Sequence, residues 1–326
     1  GLLYGTVATN LNRCVDFETL SASFTEHGIA HMPVKGYYLR KLYPTPELRT
    51  FGDIDLLIHP EDRQKVHDLM LSLGYTVKQD WEPTYSYIKD AEYYEIHTNL
   101  MDGNLDGRSD LQAYFDVAWA HAAPDDGLRF RPEDDFHFIY TVCHLAKHLY
   151  GGGAGLRMYL DVALYIKHKD DSLHWQVIAG EFVALHLAEF FYTVMNACRV
   201  WFGTKTICPL PEPDTEALDR LLSYTLDSDL FGHSRDHAVI ELRNEKDEAP
   251  SRSRVLRKML FPPAVEIESR YTFLRNRHWL LPLAWLVRLF ANLRLIPSRI
   301  CQMKQVTKTD KASVETYDGF MRRIGL

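Results

Sequence analysis

The sequence has few cysteines and little excess charge, and both facts exclude classes of protein. Only five of its 326 residues are cysteine, and none of them forms the Cys-x-x-Cys spacing of zinc ribbons or redox motifs. A scattered, odd-numbered set of thiols is typical of a reducing compartment, so we expect a cytoplasmic protein with buried or incidental cysteines. The formal charge is −7, from 37 basic and 44 acidic residues, which disfavours a protein that coats nucleic acid.

Long hydrophobic runs are absent as well. The most apolar stretch, residues 279–293, is interrupted by Pro282 and Arg288, and it is shorter than the roughly 20 residues that span a bilayer. We interpret it as a buried helix, with contact to a membrane surface or to a partner as the alternative. No signal peptide opens the chain, which starts at Gly1 without Met and is typical of a sequence with residues missing upstream.

The residues that are present describe an ordinary globular protein, 46% hydrophobic and 25% charged. Helical and extended patterns alternate in the first third, and the pattern from Pro132 onward is mostly helical. The sequence therefore predicts an α/β (α+β) chain with a catalytic domain at 1–125 and a helical domain at 126–326. Predicted strands lie at 29–34, 54–58, 75–79, 85–89 and 92–100, and predicted helices at 11–27, 133–150, 155–168, 174–202, 214–227, 253–260 and 279–293.

The sharpest motif is a pair of aspartates at the start of the second predicted strand, in Gly52-Asp-Ile-Asp55. Side chains two apart on a strand lie on the same face, so Asp53 and Asp55 converge while Ile54 packs underneath. Two adjacent carboxylates repel each other unless a cation neutralises them, and oxygen ligands favour Mg²⁺ or Mn²⁺. Such pairs also occur on exposed strand ends, which is the alternative.

A third acid, Glu95, lies on a later strand, where it shares one face with His97. A strand beside the aspartate pair would bring Glu95 to the same cation, and three carboxylates can hold two metal ions that activate an attacking hydroxyl and stabilise a leaving pyrophosphate. A solvent-facing acid on an amphipathic strand explains the spacing equally well.

Two basic residues are candidates for binding phosphate. Lys35-Gly36 lies where a strand meets a helix, and glycine there lets phosphates approach backbone N–H groups. Arg49 precedes the aspartate pair by a few residues. The P-loop pattern GxxxxGK[ST] is absent, and both cations are ordinary surface charges in the alternative interpretation.

The first helix of the second domain carries one polar stripe on an otherwise apolar surface. Unpaired polar groups are costly to bury, so the stripe indicates a cleft that binds substrate or phosphate, a structural polar network, or a metal site. Lys147 and Arg157 extend the argument toward phosphate binding, and an Arg157–Asp161 salt bridge is the alternative for Arg157. The stripe consists of Asp134, His137, Thr141, His144 and His148.

Taken in order, these motifs resemble the polymerase-β-like nucleotidyltransferase superfamily, and within it the uncharacterised bacterial nucleotidyltransferase family. The resemblance spans roughly residues 10 to 300. It is carried by Lys35-Gly36, Tyr43-Pro44, Arg49-x-x-Gly52-Asp53-Ile54-Asp55, Pro60-Glu61-Asp62, His144-Leu-Ala-Lys147-His148, Gly153-Ala-Gly155-Leu-Arg157 with Asp161, Arg270-Tyr271 and Trp279-Leu-Leu-Pro282.

The resemblance implies a small mixed sheet with the Asp-x-Asp strand at its centre, followed by helices that complete the cleft. It implies that Asp53, Asp55 and Glu95 bind Mg²⁺ or Mn²⁺ and act in catalysis. It also implies an NTP co-substrate held by Lys35, Gly36, Arg49, Gly52, His144, Lys147, His148 and Arg157. One departure concerns the superfamily's usual Gly-Gly or Gly-Ser, which is Lys35-Gly36-Tyr37 here.

The expected activity is metal-dependent transfer of a nucleoside monophosphate from an NTP to an acceptor. A small molecule, peptide or protein is favoured as the acceptor over tRNA because the net charge is negative. The alternatives are a tRNA nucleotidyltransferase of the toxin type, a phosphoryl transfer of the kinase type, and a non-catalytic nucleotide sensor.

Overall fold

The structure is a computed structural model that describes residues 2–50, 52–81, 84–101, 103, 105, 110–227, 257, 260–267, 270–274, 277–291 and 311–326. These residues form two compact units. The first contains residues 1–147 and 157–213, and the second contains residues 148–156 and 214–326.

A mixed seven-stranded sheet is the framework of the first unit. The strands are adjacent in the order β3-β4-β5-β2-β1-β7-β6. The pairs β2–β5 and β1–β7 are parallel, and the other neighbours are antiparallel. The strands are β1 (His31–Pro33), β2 (Ile54–Ile58), β3 (Thr76–Trp81), β4 (Thr84–Lys89), β5 (Glu92–His97), β6 (Ala122–Asp126) and β7 (Arg129–Pro132).

Strand β2 lies at the centre of this sheet and is buried along its whole length. Apolar residues lie on both of its faces: Ile54, Leu56 and Ile58 join the hydrophobic core, and Leu57 is buried on the opposite face beside Asp55. The first helix contributes Phe17 and Phe24 to the same core. The mixed sheet and its central Asp-x-Asp strand confirm the predicted fold class.

The hairpin formed by β6 and β7 is not predicted from the sequence, which shows only turn-forming residues at 122–127. Strand β7 joins the sheet beside β1, where His31 pairs with Arg129. The turn depends on Gly127, which has a φ of 57°. A side-chain Cβ at Gly127 would lie 2.8 Å from Cγ2 of Thr25, so this turn requires glycine.

Some helices of the first unit alternate with the strands along the chain, and the others follow the last strand. Residues 174–202, predicted as one helix, form two helices that are separated at His186. His186 is left-handed, with a φ of 56°, and the Leu187 N–H closes the helix end by donating to the Phe182 carbonyl at 2.8 Å. No glycine marks this break in the sequence. The helices are α1 (Leu2–Glu26), α2 (Gly36–Leu39), α3 (Arg63–Ser72), α4 (Leu111–Phe115), α5 (Asp134–Gly151), α6 (Leu156–Lys169), α7 (Trp175–Ala184) and α8 (Ala188–Phe202). The last four residues of α5 and the first residue of α6 belong to the second unit.

Four helices belong to the second unit: α9 (Thr215–Asp227), α10 (Ala264–Ile267), α11 (Leu281–Ala291) and α12 (Lys311–Arg323). Tyr224 of α9 packs against Phe320 of α12, with ring centroids 6.0 Å apart. The predicted helix at 253–260 lies outside the described residues except for positions 257 and 260. Single-turn 3₁₀ helices occur at Arg40–Leu42, Pro46–Leu48, Pro60–Asp62, Ala118–His121, Thr272–Leu274 and His278–Leu280.

Two sequence predictions, one on membrane-spanning segments and one on the cysteines, can be compared with the structure. Within the described ranges, none of the helices combines the length and the apolar character needed to cross a membrane. The cysteines Cys14, Cys143, Cys198 and Cys208 are buried free thiols, and Cys301 lies outside the described residues.

Candidate active site

Three potential metal ligands converge on the face of the sheet opposite the hydrophobic core. Strands β2 and β5 are parallel neighbours, and Asp55 is directly paired with Glu95. The next residue on that face of β5 is His97. One ligand atom from each of Asp55, Glu95 and His97 lies within 4.8 Å of the other two. The register of two strands therefore assembles the cluster from residues about forty positions apart in sequence.

Hydrogen bonds fix the side chains of this cluster. His97 Nε2 lies 3.0 Å from Asp55 Oδ1 and 3.8 Å from Glu95 Oε2. The other ring nitrogen, Nδ1, is 3.2 Å from the hydroxyl of Thr84. The Tyr93 hydroxyl donates to Glu95 Oε1 at 3.2 Å, so Glu95 is oriented from its own strand.

Lys35 brings a cation to the same carboxylate. Its Nζ donates to Asp55 Oδ1 at 2.8 Å and lies 5.9 Å from the ring centroid of Tyr140 on α5. Lys35 occupies the turn between β1 and α2, with a φ of 51°. A positive φ is uncommon for a residue with a side chain and is found disproportionately at functional sites. The turn aims the ammonium group at the cluster.

Burial and mutual repulsion separate the two aspartates electrostatically. Burial raises the pKa of Asp53, the neighbouring Asp55 raises it further, and the pKa reaches about 6. Burial also acts to raise the pKa of Asp55, but Lys35 and His97 outweigh it and hold that pKa well below its usual range. Asp55 is therefore the permanently charged member of the pair.

The donor set fits a divalent cation. Three carboxylates, from Asp53, Asp55 and Glu95, lie close together in a partly buried site beside the ammonium of Lys35. Burial is the largest cause of the raised pKa of Asp53, and repulsion from Asp55 and Glu95 raises it further. Carboxylate oxygens suit Mg²⁺ and Mn²⁺, and the imidazole of His97 extends the set toward softer metals.

The cluster differs in one member from the three carboxylates predicted from the sequence. Asp53 interacts electrostatically with Asp55 and Glu95, yet its carboxylate is outside the trio that closes within 4.8 Å among the described residues. His97 takes the third place. The two-residue spacing from Glu95 to His97 predicts a shared face, and the pairing of β5 with β2 brings the imidazole to Asp55.

The loop before the aspartate pair is held by a buried ion pair. Arg49 donates from Nε and Nη2 to the two carboxylate oxygens of Asp161, at 2.8 and 2.7 Å, and both side chains are 5% exposed. The Tyr43 hydroxyl also donates to Asp161, at 2.7 Å. Arg157 donates to the backbone carbonyl of Thr50. These contacts position the loop from Arg49 to Gly52, and phosphate binding by Arg49 and Arg157 stays a prediction.

The other sequence-predicted binding residues are spread along two helices. Gly36 is buried at the first position of α2, directly after Lys35. His144 packs its ring on Tyr140, with centroids 5.9 Å apart, and so lies one side chain away from Lys35. Lys147 is partly exposed and His148 is exposed near the end of α5. Gly36 is therefore connected to the carboxylates through Lys35, and His144 through Tyr140 and Lys35.

The start of the polar stripe on α5 forms a structural network. Asp134 accepts from Lys169 Nζ at 3.0 Å. His137 is buried, its Nδ1 lies 3.5 Å from the Tyr165 hydroxyl, and burial lowers its pKa to about 4. Thr141 donates to the backbone carbonyl of His137 at 2.8 Å. These residues of the stripe pack and hydrogen-bond within the first unit.

Two solved structures that align with this chain are distant from it in both sequence and fold. The solution structure of the antibiotic-resistance factor ANT(2'')-Ia aligns with a TM-score of 0.39 and 12% identity, over 54% of this chain and 93% of that chain. A tRNA nucleotidyltransferase complexed with a primer tRNA and an incoming ATP analog aligns with a TM-score of 0.24 and 12% identity, over 93% and 98%. No curated protein matches the sequence.

The comparison with protein families is more specific. The model of a family described as uncharacterised nucleotidyltransferase matches residues 3–203, which is more than half of the chain. The matched range contains Lys35, Asp53, Asp55 and Glu95, together with the paired Arg49. The chain therefore belongs to this family of uncharacterised nucleotidyltransferases, as the order of its motifs predicts.

Proposed function

We propose that this chain transfers a nucleoside monophosphate from an NTP to a hydroxyl group of an acceptor, with a divalent cation bound by Asp55, Glu95 and Asp53. The observation that carries the proposal is the pairing of Asp55 with Glu95 across β2 and β5, with Lys35 at 2.8 Å. Family membership supports nucleotidyl transfer in general. The cation, the NTP and the acceptor are the finer parts of the proposal.

In the proposed reaction the acceptor oxygen forms a bond to the α-phosphorus, and the bond from that phosphorus to the bridging oxygen breaks. Pyrophosphate leaves with the bonding electron pair. The proton of the acceptor hydroxyl goes to the carboxylate of Glu95, whose Oε1 accepts from Tyr93 and whose Oε2 lies 3.8 Å from His97. The cation, when bound, supplies charge stabilisation to the phosphate oxygens.

The protein's own residues supply the remaining charge and orientation. Lys35 is the cation already aimed at the cluster, so it neutralises phosphate charge as the triphosphate enters. The Arg49–Asp161 pair and the Arg157 contact to Thr50 hold the loop that leads into Asp53. His97 holds the Asp55 carboxylate in one orientation. Phosphate contacts from Gly36, Gly52, His144, Lys147 and His148 are part of the same proposal.

Incubation with NTPs labelled at the α- or the γ-phosphate, Mg²⁺ or Mn²⁺, and cell extract tests this function. We expect α-label in a product whose size identifies the acceptor class as small molecule, peptide, protein or tRNA. Asp55→Asn and Glu95→Gln should each lower the rate by about two orders of magnitude or more, because each removes charge that stabilises the transition state.

The matched control is Asp126→Ala, which removes a carboxylate that is 81% exposed on β6 of the same sheet. It should leave the rate unchanged, and circular dichroism should show native folding of all three variants. Transfer of γ-label would instead indicate a kinase-type reaction. NTP binding without transfer of either label would indicate a nucleotide sensor.

A further inference from the structure

Helix α11 in the second unit exposes an apolar surface. Trp279, just before the helix, is 77% exposed, and Phe290 at its far end is 67% exposed. Leu283, Leu286, Val287 and Leu289 lie between them and are all exposed by 42% or more. Successive positions on this side of the helix carry no polar side chain. We call Trp279, Leu283, Leu286, Val287, Leu289 and Phe290 the α11 surface.

The opposite side of α11 packs against other residues of the second unit, so only one side of the helix is exposed. Ala284 is fully buried in a small core with Ile267, Tyr271 and Leu274. Trp285 Nε1 donates to the carbonyl of Pro262 at 2.9 Å. Apart from Arg288, α11 is therefore apolar on its packed side and on its exposed side, a pattern that normally belongs to a helix buried on every side. A contiguous exposed apolar surface of this kind marks an interaction site.

The charge around the helix distinguishes among the surfaces that could cover it. Residues 270–291 contain four arginines and no aspartate or glutamate, although the whole chain has a net charge of −7. Arg270 and Arg277, which precede the helix, are exposed. Positive charge beside an apolar face with an exposed tryptophan is the combination found in helices that lie in the interface of anionic membranes.

We propose that the α11 surface docks on an anionic lipid bilayer, with Trp279 and Phe290 in the headgroup boundary and the exposed Arg270 and Arg277 against lipid phosphates. The eleven residues of α11 measure about 16 Å, roughly half the hydrocarbon thickness of a bilayer. The helix therefore lies along the surface of the membrane. The proposal is independent of the nucleotidyl-transfer chemistry, because none of its residues belongs to the candidate active site.

Sedimentation of the full chain with vesicles tests the proposal. We expect binding to vesicles that contain phosphatidylglycerol, weak binding to pure phosphatidylcholine, and release by added NaCl. Leu286→Glu and Phe290→Glu should each lower the ratio of bound to free protein by about tenfold, because each removes a buried apolar side chain and adds a negative charge. The control is Val183→Glu, which changes a valine 63% exposed on α7 and should leave binding unchanged.

Tryptophan fluorescence gives a second readout that does not need the glutamate variants to fold. Anionic vesicles should shift the emission of the wild-type chain to shorter wavelength, and brominated lipids should quench it. Trp279→Phe should remove most of both effects. Absence of binding to anionic vesicles, equal binding to neutral ones, or binding that the α11 variants leave intact would overturn the proposal. A dimer that Leu286→Glu dissociates, without lipid binding, would assign the surface to a second copy of the chain instead.

Discussion

Lys35 is the residue on which the candidate site depends most directly, because its ammonium group lies where a cation is expected. It shares Asp55 Oδ1 with His97, at 2.8 and 3.0 Å. A metal ion that takes up the Asp55 carboxylate therefore has to compete with Lys35 for the same oxygen. At the same time, the removal of Lys35 leaves Asp55 buried without its strongest counter-charge.

We expect Lys35→Met to raise the affinity of the nucleotide-free protein for Mn²⁺ by about tenfold at pH 8, because a competing unit charge near the carboxylate is removed. Binding is measured by the loss of the free Mn²⁺ signal in electron paramagnetic resonance. Lys41→Met is the control, since Lys41 is exposed on the following helical turn. Unchanged or weaker Mn²⁺ binding in Lys35→Met would show that the lysine supports the metal site instead of competing for it.

His31 governs a different property, the stability of the sheet at low pH. It is fully buried on β1, where Nδ1 lies 3.1 Å from the Ile29 carbonyl and Nε2 lies 2.7 Å from the Ser21 hydroxyl. Since a carbonyl only accepts, Nδ1 carries the proton and Nε2 accepts from Ser21. Burial lowers the pKa of His31 to about 4 from 6.5, with a smaller contribution from Arg129.

Between pH 6.5 and 4, this histidine is therefore protonated in the unfolded chain and neutral in the folded chain. The stabilisation is complete above pH 6.5 and is lost as the pH falls toward 4, by about 3 kcal/mol. We expect His31→Gln to flatten the fall in unfolding free energy over this window by that amount, measured by urea denaturation at successive pH values. His27→Gln, which changes an exposed histidine, should keep the wild-type slope.

Between elements, the strongest single contact in the candidate site is the pair that joins the loop before β2 to helix α6. Asp161→Asn removes the charge that compensates the buried guanidinium of Arg49, and we expect a loss of about 3–5 kcal/mol in unfolding free energy. Urea denaturation followed by circular dichroism measures it. Asp135→Asn is the control because its partner, His174, is 75% exposed, and it should cost under about 1 kcal/mol.

The double variant Arg49→Met/Asp161→Leu tests whether the ion pair itself stabilises the fold or whether it mainly positions the loop before β2. Replacing both charges with apolar groups of similar size removes two desolvation penalties, so stability should return to within about 1–2 kcal/mol of the wild type. If the double variant stays as unstable as Asp161→Asn, the pair contributes packing that methionine and leucine do not replace.

The strands also show which secondary structure can be predicted from the sequence and which cannot. Strand β2 is predicted because Ile54, Leu56, Leu57 and Ile58 form a strongly apolar run. Side chains alternate between the two faces of a strand, which indicates that Asp55 faces away from Ile54. Strands β6 and β7 are missed because Pro124, Asp125 and Gly127 are turn-forming residues, and their pairing with β1 depends on contacts about 100 residues away. Local propensity cannot report such pairing.

The site was predicted in part for the same reason. Asp53 and Asp55 are predicted from their two-residue spacing at the start of a strand, and Glu95 is predicted as a third acid on a later strand. The partnership of Arg49 with Asp161 was not named because the two residues are 112 positions apart, and an arginine close to Asp53 suggests phosphate binding just as well. His97 was noticed on the face of Glu95, but its hydrogen bond to Asp55 depends on strand register.

For the whole molecule, charge is distributed unevenly along the chain. The net charge of −7 disfavours nucleic-acid binding, yet residues 270–291 hold four arginines without an acid. An average over the chain conceals this segment, and only the exposure of Trp279 and Phe290 shows that the apolar stretch predicted as a buried helix has an uncovered side. Composition therefore predicts the class of the molecule, whereas the exposed apolar side of α11 is visible only in the structure.

The pairing of β2 with β5 also constrains how this protein can change through insertions and deletions. A gain or loss of one residue before Glu95 within β5 would turn every later side chain of that strand to the other face, and Asp55 would then face Tyr94 or Ile96. A shift by two residues restores the alternation and places His97 or Tyr93 opposite Asp55 in place of Glu95. Lineages that descend from this chain should therefore tolerate length changes in the turns beside β5 far better than single-residue changes inside it.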